Sequence, residues 1–300
     1  MKRIVAYFSI FFVTIFWGTS FVSSKIVLNK ISPFELGFYR YIFAALFLLI
    51  IFFIVEKDKT IKKQDFPILF LSSFVGVFLY FYAENSALNY LSASVSSIIL
   101  SMLPIFMIIV NFFINKEKIS KTKITAVLAS IIGVFFVVRA DFSATVFSNE
   151  IKGYSFMLFA IITWIIYVFT TLRLRKKYSN LKIITYQAVI SLILFAPFSV
   201  SKISNVITLN YEYWLNIAYL GIFCSGIAFY LYVYAIKNLG TIVSSIFINF
   251  IPVVTIVTGS IILDETLNLM QIIGVIIIFL VMCILVFNDY LKFKGAKKND

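Results

Sequence analysis

The chain is a succession of apolar runs, each about as long as a helix that crosses a bilayer. Ten can be delimited, at 4–28, 34–55, 66–88, 91–114, 121–140, 153–173, 183–201, 213–236, 240–262 and 268–290. A spanning helix needs ~20 mostly apolar residues, and it must satisfy its own backbone because the hydrocarbon core holds no water. The connections are short and polar, with breakers such as Asn29 and Pro33, Ser179 and Asn180, and Asn238 and Gly240. Composition agrees. Hydrophobic residues make up 62% of the 300 and charged residues 13%, against ~25% charged in soluble domains. The pattern predicts an all-α integral membrane protein with ten transmembrane helices. It excludes a water-soluble enzyme and a disordered chain. Lys2 and Arg3 followed by an apolar stretch have the outline of a signal peptide, but no small-residue cleavage site follows, so the segment reads as an uncleaved first span.

The net charge of +13 is not spread evenly. With the N-terminus inside, the inside segments hold twenty Lys and Arg and the outside segments five, with Arg40 left within a span. Such a bias fixes orientation. It predicts a multi-pass protein of the bacterial inner (plasma) membrane with both termini cytoplasmic. The partner is the lipid bilayer; clusters between spans argue against nucleic acid. There is no His, which removes His triads, His metal sites and His proton switches. Cys224 and Cys283 lie in apolar runs and read as small buried hydrophobes. No metal, cofactor or catalytic residue is expected. An enzyme acting on lipid-linked substrates would want a cluster of carboxylates at an interface. Asp264 and Glu265 come nearest, and they read better as a helix-linker feature.

Sliding the chain by 148 residues superposes 81–117 on 229–265 with twelve of 37 positions identical. The shared positions include Phe81/Phe229, Tyr82/Tyr230, Ser96/Ser244, Ser97/Ser245, Pro104/Pro252 and Glu117/Glu265. At an offset of 147, Trp17 falls on Trp164. Apolar bias alone does not produce a shared Ser-Ser, a shared mid-span Pro and a shared Glu. Each half then holds five spans, an odd number, so the second enters the membrane in the opposite sense. Residues 1–142 and 150–290 are expected to form two inverted five-helix repeats, with 291–300 a basic cytoplasmic tail. Inverted repeats are a common construction of secondary transporters.

This arrangement resembles the drug/metabolite transporter superfamily, and within it the EamA-type ten-helix transporters. The motifs are Trp17 to Val22 with Lys25, Tyr39 to Tyr41, and the fourth span of each half, Ser94 to Pro104 with Glu117 and Val243 to Pro252 with Glu265. The second half departs from the first, with Gln187 in place of Arg40 and Leu172 in place of Lys25. The resemblance implies a secondary transporter that exports small organic metabolites such as amino acids by alternating access. Proton coupling is one option, and no Walker motif is present to supply ATP-driven energy. Transport of cationic or drug-like amphipathic compounds is the alternative, and a membrane-embedded enzyme a distant one. A homodimer through spans five and ten, which carry Gly133 and Gly274, is left open.

The candidate site residues are few. Pro104 and Pro252 lie mid-span, where a Pro removes a backbone donor, and are expected to be hinges. Ser97, Ser101, Ser245 and Asn249 sit on the turns before them, as cavity lining or as small packing residues. Lys25, Glu35, Arg40 and Glu84 are ionisable residues within spans, costly at ~2.5–3.5 kcal/mol each on insertion scales. They lie at similar depth and are expected to form a charge cluster, pairing internally or serving substrate and proton. Glu84 is the best proton carrier. Trp17, Tyr82, Trp164, Tyr167 and Tyr230, with Ser20, complete the substrate-binding candidates. The resemblance implies a cavity near the midplane between spans 1, 3, 4 and 6, 8, 9.

Overall fold

The computed structural model describes residues 2–115, 125, 128, 129, 132, 133, 136, 144–199, 209–248 and 250–296. These residues form α-helices joined by short turns. The first two are α1 (Lys2–Leu28) and α2 (Pro33–Val55). A third span is built from α3 (Phe66–Ser73), a π-helical segment Phe74–Leu79 and α4 (Tyr80–Leu88). A fourth is split into α5 (Ala93–Leu100) and α6 (Leu103–Asn115). Then come α7 (Ala144–Leu174), α8 (Asn180–Ser199), α9 (Tyr211–Tyr219), a second π segment Leu220–Ile227, α10 (Ala228–Leu239), α11 (Thr241–Ile248), α12 (Ile251–Ile262) and α13 (Leu269–Ala296). Among the described residues, six helical stretches are long and apolar enough to cross a membrane: Arg3–Leu28, Pro33–Val55, Lys63–Leu88, Asn149–Leu174, Asn180–Ser199 and Tyr211–Leu239.

Local sequence sets several boundaries. Ser32 accepts the Glu35 amide while Glu35 accepts the Ser32 amide at 2.8 Å, a capping box with Pro33 in the first turn of α2. The Ser92 hydroxyl accepts the Val95 amide to start α5. Gly240, at φ +87°, ends α10 in a conformation that a side chain resists.

Three expectations change here. The fourth and ninth runs are each two short helices, and the fifth run lies almost wholly outside the described residues. Helix α7 begins at Ala144, inside the expected connection between halves. Helix α13 continues to Ala296, so the tail begins as helix. The offset of 148 nevertheless recurs in the elements. α5 and α11 share their start and end at that spacing, α6 and α12 share their start, and the two π segments lie at corresponding places.

The halves are packed into each other. α1 lies against α10 and α12, α2 against α8, and α4 against α7. The outer surface is apolar, with Ile4, Phe53, Phe113, Ile261 and Phe287 all exposed. That is a surface for lipid tails. Cys224 is buried and Cys283 exposed, so only the first is the buried hydrophobe expected.

Candidate functional site

The centre of the bundle is aromatic. Trp17 of α1 and Trp164 of α7 meet edge to face with ring centroids 5.2 Å apart. Phe229 and Tyr232 of α10 pack on Trp17 at 5.5 and 5.0 Å, and Tyr80 of α4 on Trp164 at 4.9 Å. The Trp17 indole N–H donates to the Cys224 carbonyl at 3.0 Å, which ties α1 to the second π segment. The first π segment brings Gly76 against Tyr167 so closely that a Cβ there would collide with the Tyr167 side chain.

Two charged side chains are sealed into this apolar centre. Arg40 of α2 is 1% exposed. Its Nε donates to the Ser225 hydroxyl at 2.6 Å, and its Cζ lies 4.1 Å from the Phe81 ring centroid. Its Nη1 is buried and has no hydrogen-bond partner among the described residues. Glu84 of α4 is 5% exposed, and its Oε1 accepts from the Tyr80 hydroxyl at 2.6 Å. Among the described residues no ion pair joins Arg40 to Glu84. Both line one cavity, together with Trp17, Ser20, Phe21, Tyr80, Phe81, Leu100, Trp164 and Phe229. Its volume is about 20 Å³, room for about one water and none for an organic solute. The second π segment backs Arg40, because a Cβ on Gly221 would lie 2.6 Å from the Arg40 carbonyl oxygen.

The charge cluster expected from sequence therefore separates. Lys25 donates to the carbonyls of Leu88 and Leu91. Glu35 Oε2 is taken up by the capping box, while its Oε1 is buried with no hydrogen-bond partner among the described residues. Arg40 and Glu84 remain at the cavity, and internal pairing of the four is not found. Lys25 and Glu35 stand at helix ends where backbone groups need partners, so each is drawn to backbone instead.

Of the other candidates, Trp17, Ser20 and Trp164 line the cavity, and Tyr167 packs behind Trp164 at 4.9 Å. Tyr82 turns aside and stacks on Phe34 at 4.4 Å. Tyr230 is 41% exposed on the outside of α10, while its neighbour Phe229 points inward. Ser97 and Ser101 are buried and donate to the Ser94 and Ile98 carbonyls. The side chains of Ser245 and Pro104 lie outside the description, as does Asn249 altogether. Pro104 and Pro252 are each the second residue of a new helix, α6 and α12, and not kinks in a continuous one. A Pro in a first turn costs no intrahelical bond.

Polar contacts join the described elements at both ends of the bundle. At one end the Glu265 carboxylate accepts the Ala93 amide at 2.7 Å, the Ser94 amide at 2.9 Å and the Ser94 hydroxyl at 2.6 Å. Asp264, at φ +52°, turns the chain toward that contact. At the Lys-rich end, segment 56–65 is bound to 177–186. Lys182 pairs with Asp58 at 2.8 Å, Lys177 with Asp65 at 2.6 Å, the Tyr178 hydroxyl donates to Asp65 at 2.7 Å, and Ser179 donates to Glu56. The ammonium groups and hydrogen bonds hold the Asp58 and Asp65 carboxyls below their usual range.

Phe81, Phe229 and Ser225 also stand at the cavity and were not among the site residues expected from sequence. The repeat does mark Phe81/Phe229 as its first identity. Ser225 carries no sequence signal, because only the fold brings it to Arg40.

The profile of the EamA-like transporter family matches the chain twice, over residues 4–139 and 151–287. The chain is similar to the uncharacterized transporter YetK of Bacillus subtilis (strain 168), at 26% identity over 283 residues that cover 91% of this chain and 84% of the relative. An uncharacterized transporter of Archaeoglobus fulgidus is 26% identical over 263 residues, 86% of this chain and 90% of its own. A solved crystal structure aligns over 95% of this chain and 98% of its own with a TM-score of 0.66 at 14% identity, a likeness of fold.

Proposed function

Since this chain belongs to the EamA-like transporter family, we propose that it is a secondary transporter that exports small organic metabolites such as amino acids by alternating access. The observation that carries this reading is the sealed centre: a charged, ring-walled cavity of about 20 Å³ with clamps at both ends of the bundle. Such a centre suits a binding site in its closed state. A solute enters when one clamp and the rings on its side part, and leaves when the other does. The two halves, 1–142 and 150–290, act as inverted repeats, and the breaks before Pro104 and Pro252 are where the fourth span of each half bends. The Lys-rich end faces the cytoplasm, with both termini. Glu84 is the carboxylate of the cavity, and a proton taken up there in exchange for the solute is the simplest coupling with one site.

The test is counterflow in proteoliposomes holding the full chain, with amino acids, nucleobases, polyamines, quaternary amines and drugs as solutes. Exchange of a metabolite class, lost in Glu84→Gln or Trp17→Ala variants that still fold, supports the proposal. No exchange with any class, by protein that is folded and inserted, sinks it.

A further inference from the structure

Arg175 stands just past the end of α7, at the Lys-rich end of the bundle. Its side chain is half-buried, and its Nε is sealed from solvent with no hydrogen-bond partner among the described residues. The ion pairs described at this end are Lys177 with Asp65 and Lys182 with Asp58, so neither carboxylate is left for Arg175. Glu56, the remaining carboxylate of segment 56–65, accepts from Ser179. A guanidinium packed against protein without an acceptor is costly, because its donors lose water and gain nothing in return. Burial accordingly holds the Arg175 pKa below its usual value, and Tyr230 is the group that opposes the shift. Tyr230 of α10 is thus within electrostatic reach of Arg175.

Tyr230 belongs to a stripe. The stretch Tyr211–Leu239 begins near the start of α2, where Trp214 meets Tyr39 at 5.6 Å, and the other end of α2 leads into segment 56–65. The stretch therefore runs toward the Lys-rich end. On α10, Tyr230, Tyr234 and Lys237 are spaced i, i+4, i+7, which is one helix face. Tyr230 and Lys237 are exposed and Tyr234 is half-buried, while Tyr232, Val233, Ala235 and Ile236 between them are buried. Toward the middle of the bundle the open side is apolar instead, with Phe223 exposed and Ile227 and Leu231 half-buried. The open surface passes from apolar to hydroxyl to cation as it nears the end. A phospholipid lying alongside has the same order, from acyl chain to phosphate.

The headgroup level is cationic. Arg173 and Lys176 flank Arg175 and are exposed, as is Lys237. The three carboxylates of segment 56–65 serve other partners, so this surface is short of negative charge. A zwitterionic headgroup would bring a further cation to it.

We propose that Arg175 and the Tyr230–Tyr234–Lys237 face of α10 form a binding site for an anionic phospholipid, with its phosphate on Arg175 and its acyl chains along the apolar side. A guanidinium edge matches phosphate oxygens, and the Tyr230 hydroxyl adds a donor at headgroup level. Basic surfaces where spanning helices meet the headgroups suit such lipids. The site is separate from the cavity and does not depend on the transport reading.

The test follows thermal unfolding of the full chain, purified in detergent, as phosphatidylglycerol, phosphatidylcholine or inorganic phosphate is titrated in. Phosphatidylglycerol should raise the midpoint saturably, by mass action. Phosphatidylcholine and inorganic phosphate should need roughly tenfold more, or give no shift. Arg175→Gln should raise the half-saturating phosphatidylglycerol concentration about tenfold, the scale of one charge-assisted hydrogen bond. Lys63→Gln removes the same charge from an exposed position at the same end but outside the stripe, and should leave that concentration unchanged. If Arg175→Gln fails to fold, Tyr230→Phe combined with Lys237→Gln strips the α10 side of the site and should weaken the lipid to a similar degree. Equal stabilisation by phosphatidylcholine, or a response of Arg175→Gln equal to wild type, overturns the proposal. An equal loss in Lys63→Gln also overturns it, since the effect would then be the general field of the basic end. A response to inorganic phosphate that matches the lipid would show a free-anion site and overturn the lipid assignment.

Discussion

Phe229 and Tyr230 are neighbours on α10 with opposite fates. Phe229 packs on Trp17, Phe81, Trp164 and Tyr167 at centroid distances of 5.5, 6.1, 5.6 and 5.7 Å. Tyr230 is 41% exposed. Phe229→Ala should therefore cost about 3–5 kcal/mol of stability in detergent, the range for a core Phe. Tyr230→Ala should stay within about 0.5 kcal/mol, as outward-facing substitutions do. Unfolding curves of the two variants decide it, and equal losses would show that the inward face has been misassigned. The sequence marked both positions equally, since Phe81/Phe229 and Tyr82/Tyr230 are adjacent identities in the repeat. It gave no way to choose between them. In a soluble helix the polar face identifies the buried one. In lipid both faces are apolar, so the inward residue has no compositional mark. Trp17 and Trp164 were legible because the repeat singles them out. Ser225 was not, because its only distinction is a partner 185 residues away.

The short elements concern opening. Helix α5 is eight residues long and its first amides are held by Glu265, from the turn between α12 and α13. A carboxylate at a helix N-terminus satisfies free N–H groups and the local dipole together. Close by, Lys25 holds the carbonyls of Leu88 and Leu91, where α4 ends. The α4–α5 turn is thus pinned by an anion on one side and a cation on the other. Glu265→Ala removes the anion and three hydrogen bonds at once. It should expose the interior at this end. A cysteine placed at the fully buried Ser97 should then react faster with a membrane-impermeant maleimide added from that end. Unchanged labelling would mean that the pin is not what closes the bundle. Sequence reasoning located the Pro residues and the shared Glu, and it expected kinks. The span instead turns at Ser101 and Met102, and Pro104 stands in the first turn of the next helix. The π segments left no trace in the pattern of hydrophobicity. Their purpose shows only in the close packing of Gly76 on Tyr167 and Gly221 on Arg40.

At the scale of the whole molecule, orientation and closure meet at the Lys-rich end. Charge counting alone assigned segment 56–65 and segment 174–182 to one side, and the structure binds them together. If that side is cytoplasmic, a cysteine at the exposed Lys176 should be labelled only after the membrane is opened, and one at the exposed Asn89 in intact cells. The reverse pattern would invert the proposed direction of export. The clamp itself has a pH signature. Asp58 and Asp65 have carboxyls lowered by hydrogen bonds from Lys182 and Lys177 respectively, each with further help from Thr60 or Tyr178. A lowered acid contributes stability that is fully present above its ordinary value, near 3.8 here, and is lost as pH falls through the lowered one. The wild type should therefore melt above an Asp58→Asn, Asp65→Asn double variant by a margin that is constant from pH 7 to about pH 5. Below pH 4 the margin should shrink as the carboxyls protonate. Both groups are near the surface, so the margin should be small and should narrow with added salt. A margin that disappears between pH 7 and 5 would show that another group closes this end. A margin that holds would mean the clamp at the Lys-rich end keeps its ion pairs throughout the physiological range. Protons would then act in transport through the cavity and not through this gate.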